Sequence, residues 1–305
     1  MINYDPDDWN SHLYDIRGSM IREIFARVAT CVVWSCIVVL VHKMIQPHGW
    51  SLAIPETGHS LVAVALGLLL VFRTNASYDK FWEGRKQWGA IVNECRNLGR
   101  AVSMHLAGAP ELIRPILFWT SAFAWSTMHR LRGEPAIGPV SHELPVDDVQ
   151  AVLAANHTPL AVSRRITGLL IEARRRGLIS DYVQISLEQN VQLLIDYMGA
   201  CERIHTTPIP FAYMVHLRRA VILYCFTLPF ALLSRFDWGT SIAVFLIAYT
   251  LYGIEEIGVE IEDPFGQDEN DLPLEVICTT IENNLRGVWE TIETRPTVIA
   301  ETSAT

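Results

Sequence analysis

Charge is what this chain has least of, and it is missing in blocks. Only 19% of its 305 residues are Asp, Glu, Lys or Arg, against about a quarter in soluble domains. None of them falls in residues 28–41, 58–72, 220–234 or 238–254. Cysteine pairing is absent as well: the six cysteines form no CxxC and no paired spacing, and three of them lie in the uncharged runs, so packing thiols are the simple reading. The ten histidines build no HExxH, and neither GxSxG nor a phosphate-binding glycine loop occurs, so nothing points to catalysis. A basic surplus is lacking too. The net charge of −9 excludes the electrostatic footprint of a nucleic-acid binder. The first ten residues, MINYDPDDWN, are acidic without an apolar core and do not read as a secretory leader. No internal repeat and no strand-rich segment is visible.

What is present is apolarity in long pieces, since half of the residues are hydrophobic. Each uncharged run has 14 to 17 residues and is bounded by charge. At about 1.5 Å per helical residue, fifteen residues reach about 23 Å, short of a bilayer core that needs about 20 residues. The flanking Arg27, Lys43, Arg73, Arg219 and Arg235 extend the runs by snorkelling. A large soluble helical bundle is the competing reading of composition alone. The pairing of the runs favours the membrane: a Pro/Gly loop joins the first two, and SRFDWG, long enough only for a helical hairpin, joins the last two.

The predicted fold is therefore all-α, a polytopic membrane protein of two transmembrane hairpins and a cytoplasmic helical body. Residues 1–27 form an N-terminal segment carrying Arg17, Arg22 and Arg27, and 28–75 the first hairpin. Residues 76–212 form a helical region, 213–256 the second hairpin, and 257–305 an acidic tail. Arginine and lysine cluster before the first run and after the second, which places both termini and the middle of the chain in the cytoplasm. Within the helical region, Ile91, Leu98, Val102 and Leu106, and later Val183, Ile185, Leu187, Val191, Leu194 and Ile195, recur at helical spacing. A linker-like stretch at 132–148 interrupts it, with Asp147 or Asp148 placed to cap the next helix. Between residues 255 and 294, twelve acids stand against Arg286 alone, leaving +2 for the rest of the chain.

Four motifs in this order resemble the bestrophin family of ion channels nearly end to end. They are Arg17-Gly18-Ser19 before the first run, FRTNASYDKFWEGRKQW at 72–88, Ile209-Pro210 opening the third run, and Asp263-Pro264-Phe265-Gly266 with the acidic residues after it. The resemblance implies a homopentamer in a bacterial inner membrane, with self, lipid and small inorganic ions as its partners. The second transmembrane helix would line a narrow apolar neck at Val64, Leu68 and Phe72, a second constriction would lie near Tyr182, and Arg73 and Asn75 would ring the inner end of the neck. In animal members the acidic loop clasps calcium. The matching positions here are Asp268 and Asp271 through carboxylates and Glu260 and Asp263 through backbone carbonyls, and no other cofactor is implied.

Residue chemistry leaves alternatives beside each of these. Val64, Leu68 and Phe72 share one helix face, which either packs against another helix or, in several copies, forms apolar rings that gate by dewetting. Arg73 either draws anions or pairs with Asp79 or Glu83. Trp82 and Trp88 fit an interfacial belt. The acidic loop either holds a hard cation or is a solvated surface before a helix that begins near Pro273 with Glu275 in its first turn. Glu255 and Glu256, following the fourth run, are functional by default if they lie at membrane depth, or they pair with Arg17 or Arg22. Three functions remain: an ion channel, with anions favoured over monovalent cations; a transporter or enzyme built on intramembrane carboxylates; and a non-conducting membrane scaffold.

Overall fold

The computed structural model describes residues 20–294, so Arg17, Gly18 and Ser19 lie outside the described residues. Among those described there are nine α-helices and no strand: α1 (Ile21–Ile45), α2 (Glu56–His105), α3 (Pro110–Leu131), α4 (Val146–Leu153), α5 (Thr158–Arg175), α6 (Asp181–Thr206), α7 (Phe211–Phe236), α8 (Thr240–Glu260) and α9 (Leu274–Glu293). They divide into two compact units. The first holds residues 20–82 with Thr207–Asp271, and the second holds Glu83–Thr206 with the residues from Leu272 onward. The chain thus does not divide where the uncharged runs end: α2 contributes to both units, and the acidic segment is split between them at Leu272.

In the first unit each helix supplies one stripe. Ile24, Val28 and Cys31 of α1, Leu66 and Leu70 of α2, Leu217, Val221 and Leu228 of α7, and Val244, Ala248 and Tyr252 of α8 form one core. Steps of three, four and seven residues put each set on one face. The opposite faces are apolar too, with Val33, Leu61, Val64, Leu223 and Ile242 all more than half exposed. Helices apolar on every side suit a solvent that is itself apolar or further protein copies. By length and composition, Ile21–His48, Glu56–His105 and Phe211–Glu260 are able to cross a membrane. The last of these is broken at Asp237, whose φ of +48° turns the chain between α7 and α8 and whose carboxylate pairs with Lys43 at 2.5 Å.

The second unit is built around α3. Every residue from 116 to 128 is buried, so this helix is enclosed on all sides. Trp88, Ile91, Leu98 and Val102 of α2, Val162, Ile166 and Leu170 of α5, Leu187, Val191 and Leu194 of α6, and Ile281 and Leu285 of α9 are also buried. Four expectations are corrected here. Trp88 is fully buried in this unit rather than standing in an interfacial belt, because it shares the face of Ile91 and Cys95. Ile185 leaves the α6 stripe and is 67% exposed. Asp147 and Asp148 do not cap α4, which begins at Val146 after Pro145; Asp148 instead pairs with Arg165 at 2.6 Å. The stretch 132–148 is no loose linker either, since Ile137 and Val140 are buried. Gly138, at φ +74°, lies against Trp125 so closely that a Cβ would stand 2.4 Å from its ring.

Candidate functional site

Two opposite faces of α2 organise the first unit. Leu66, Leu70, Arg73 and Ser77 are buried, at successive steps of four, three and four residues along one side of the helix. Polar ties fasten this side at successive turns. The Tyr213 hydroxyl donates to the Leu69 carbonyl at 2.9 Å, the Arg73 guanidinium to Glu255 at 2.7 Å, and the Ser77 hydroxyl to the Gly258 carbonyl at 2.7 Å. Held in this way, α2 turns the other side outward. Val64 is 73% exposed, Leu68 55% and Phe72 58%, and Asn75 is exposed on the same side. One helical turn separates each from the next, about 6 Å of rise.

Arg73 departs from its expected place. One residue round the helix from Phe72, it points about 100° away and is 1% exposed. It pairs with Glu255 rather than with Asp79 or Glu83, with Glu262 at 3.9 Å on Nη2. Its Nε and Nη2 have no hydrogen-bond partner among the described residues. The guanidinium that was to ring the neck is thus a buried strut, and Asn75 alone of that pair lies on the outward face.

Around Glu255 the unit gathers the ion pairing expected for it and Glu256, but the partners described are not Arg22, and Arg17 lies outside the described residues. Glu255 is 2% exposed and receives Arg73, Arg218 at 2.9 Å and Arg27 at 3.5 Å, while Arg27 also bonds Glu256. The helices α1, α2, α7 and α8 each contribute a charge. Arg22 forms no ion pair among the described residues. The signal was present, since each arginine abuts an uncharged run and buried charges require partners. Separations of 37 to 228 residues hid which ones meet.

From Glu260 at the end of α8 to Asp271, three of the four residues matched to the calcium clasp use their carboxylates within the segment. Asp271, 3% exposed, accepts the Asp268 backbone N–H at 2.7 Å. Glu260 accepts from the Asn270 side chain at 2.8 Å, and Asp263 accepts the Phe265 N–H at 3.4 Å. Gly266 is needed because a Cβ there would stand 2.6 Å from the Asp271 carboxylate. Burial and the neighbouring Asp268, Asp263 and Glu260 carboxylates lift Asp271 to about 6, against the lowering effect of the Asp268 amide. Among the described residues no three His, Cys, Asp or Glu side chains gather to hold a metal ion. The clasp would draw on only two carboxylates, those of Asp268 and Asp271, beside the backbone carbonyls of Glu260 and Asp263, and of the two the Asp271 carboxylate is bonded to the Asp268 amide. The α9 helix follows at Leu274, with Glu275 in its first turn.

In the second unit Tyr182, on the first turn of α6, is 86% exposed. The neighbouring Asp181 pairs with Arg174. Tyr182 and Ile185 lie three residues apart on one outward side of α6.

Comparison with known proteins agrees with this architecture. The family described as Bacterial/Fungal Bestrophin protein matches residues 1–287. A voltage-dependent anion channel-forming protein of Synechocystis is 40% identical, over 93% of this chain and 92% of its own. One from Nostoc is 38% identical, over 91% of this chain and 90% of its own. Among solved structures, a bacterial bestrophin homologue from Klebsiella pneumoniae superposes with a TM-score of 0.83 at 32% identity, covering 88% of this chain and 98% of that one. Sequence, helical fold and the outward apolar face of α2 lead to one conclusion: the chain belongs to the bestrophin family.

Proposed function

We propose that the protein is a membrane channel for small monovalent anions. Several copies, five by family resemblance, place α2 around a common axis. Val64, Leu68 and Phe72 then form three stacked apolar rings, Asn75 lines their inner end, and Tyr182 contributes a separate constriction on the cytoplasmic side. One observation carries this reading: an uncharged helix face left open at i, i+4 steps, while polar ties lock the reverse face of the same helix. A face meant for internal packing would not be the one turned outward. Ions passing such rings lose hydration without gaining ligands, so the neck controls conduction by wetting.

Anions are favoured because the named relatives are anion channel-forming proteins. The acidic excess of the C-terminal stretch argues for cations only if it faces the ion path, and much of it is already committed. Glu255, Glu256, Glu262, Glu275 and Glu282 all stand in ion pairs. We place the protein in the cell membrane with both termini on the cytoplasmic side, from the arginine and lysine bias.

The test is single-channel recording of purified protein in a planar bilayer under a KCl gradient, beside Leu68→Ala. Reversal near the chloride potential and altered conductance or open probability in the variant are expected. Reversal near potassium would make it a cation channel. Silence from both proteins, in lipid where a known channel conducts, would make it a scaffold.

A further inference from the structure

A crevice among α1, α7 and α8 in the first unit is lined by none of the residues proposed for the ion path. It is a cavity of about 210 Å³ lined by Arg27, Arg218, Val221, Ile222, Tyr252 and Glu255. Its two ends differ in chemistry. At one end the guanidinium groups of Arg27 and Arg218 converge on the Glu255 carboxylate, each with 42% of its side chain still exposed. The rest of the lining is Val221, Ile222 and the ring of Tyr252. Ile222 leads one turn further along α7 to Phe226, which stacks on Trp34 of α1 with ring centroids 5.2 Å apart, and the Trp34 indole donates to the Phe226 carbonyl at 2.9 Å. That stack bridges α1 and α7 beyond the apolar end.

The polar end carries a surplus of positive charge and of donors. Of the charged lining residues Arg27 and Arg218 are positive and Glu255 alone is negative, while Arg73, Glu256 and Glu262 lie behind the lining and leave it one positive charge in excess. A guanidinium has five N–H donors. Arg218 spends its Nε on Glu255, and Arg27 spends its Nη1 on Glu256 and Glu255. The remaining donors of two half-exposed guanidiniums thus lie beside an aliphatic slot. Both arginines also stand where the uncharged runs begin, at residues 28 and 220, the level of lipid headgroups in a spanning protein.

We propose that this crevice is a binding site for an anionic phospholipid. The headgroup phosphate is held between Arg27 and Arg218, and an acyl chain lies along Ile222 towards Phe226. Guanidinium groups recognise phosphate by paired hydrogen bonds, and basic pockets between spanning helices favour anionic lipid. The apolar part of the lining, Val221 and Ile222, is what selects a lipid over a free oxyanion. The site rests on the membrane reading and not on the pore.

Native mass spectrometry of detergent-purified protein tests it, with phosphatidylglycerol, phosphatidylcholine and inorganic phosphate as probes. We expect phosphatidylglycerol to be retained at up to one per chain, about tenfold or more over phosphatidylcholine, and not to be displaced by inorganic phosphate. Ile222→Trp, which fills the slot and leaves every ion pair intact, should abolish the preference, as should Arg218→Gln. Arg219→Gln, on the neighbouring residue outside the cavity, should keep it. Equal retention of both lipids, a preference that survives Ile222→Trp, or displacement by phosphate would overturn the proposal. Bilayer recording on the same preparations separates the two readings: conduction without lipid preference sinks only the lipid site, and lipid preference without conduction sinks only the channel.

Discussion

Arg73 and Glu255 are the residues on which the first unit turns. Removing one partner of a buried pair costs about 3–5 kcal/mol because the other charge is stranded. Arg73, at 1% exposure, would be left with Glu262 at 3.9 Å. Glu255→Gln should therefore lower the thermal midpoint of the purified protein by several degrees, whereas Glu83→Gln, on a half-exposed residue of α2, should lower it far less; equal shifts would remove Arg73 from its role as a strut. Asp271 gives a second expectation at this scale. Its folded value of about 6 lies above its ordinary 3.8, so the fold favours its protonated form. Its contribution to stability is full below about pH 4 and is lost as pH rises through 6. Asp271→Asn keeps an acceptor for the Asp268 amide and should flatten that part of the profile, measured as thermal midpoints between pH 4 and 7.5. An unchanged slope would assign the titration elsewhere.

At the scale of elements, α2 is a helix with one fastened side and one open side. The ties at Leu69, Arg73 and Ser77 recur every four residues, so weakening one should rotate or loosen the face that carries Phe72. Ser77→Ala removes a single buried hydrogen bond worth about 0.5–1.5 kcal/mol. It should leave the protein folded while changing channel open probability in bilayer recordings; an unaltered gating pattern would separate the ties from the neck. In the second unit, the stretch before α4 is pinned where Gly138 meets Trp125. The Trp125 indole donates to Glu282 at 2.9 Å, so the ring has little freedom to retreat. Gly138→Ala combines an unfavourable φ of +74° with overpacking, about 2–5 kcal/mol together. The expected readout is poor expression or a lowered midpoint, and a wild-type midpoint would show that the stretch can shift as a body.

The whole molecule exposes more apolar surface than one chain in water tolerates, and the stripe proposed for the axis is part of it. Val64 and Leu68 are more than half exposed. Five copies around α2 would bring equivalent positions together, so Val64→Cys in a background with the exposed Cys36 replaced by Ser should form chain-to-chain disulfides under mild oxidation. Cysteine at Ile242, exposed on α8, should not. Crosslinking at Ile242 with none at Val64 would place a different helix at the centre. Mass measurement of the uncrosslinked assembly then gives the number of chains.

The uncharged runs and the all-helical character of the described residues were legible along the chain. Hydrophobic run length and the 3.6-residue period are local properties, written in neighbours a few positions apart. The outward stripe at Val64, Leu68 and Phe72 was legible for the same reason, as a set of positions on one face. What that stripe faces was not, because a face is defined only by what occupies the opposite side. The partners of Glu255 lay 37 to 228 residues away, and no local spacing says that Arg27, Arg73 and Arg218 converge on it. Trp88 looked like an interfacial residue next to a membrane run, yet it lies in the core of the other unit, since α2 continues well past its apolar part. Asp268 and Asp271 were matched as carboxylate ligands, and Glu260 and Asp263 as carbonyl ligands, by order alone; in the folded segment the carboxylates of Glu260, Asp263 and Asp271 accept from its own amides. Local periodicity determined the helices of this protein; which side of each helix is buried, and which charges meet there, was decided only when distant segments packed and every buried charge had to find a partner.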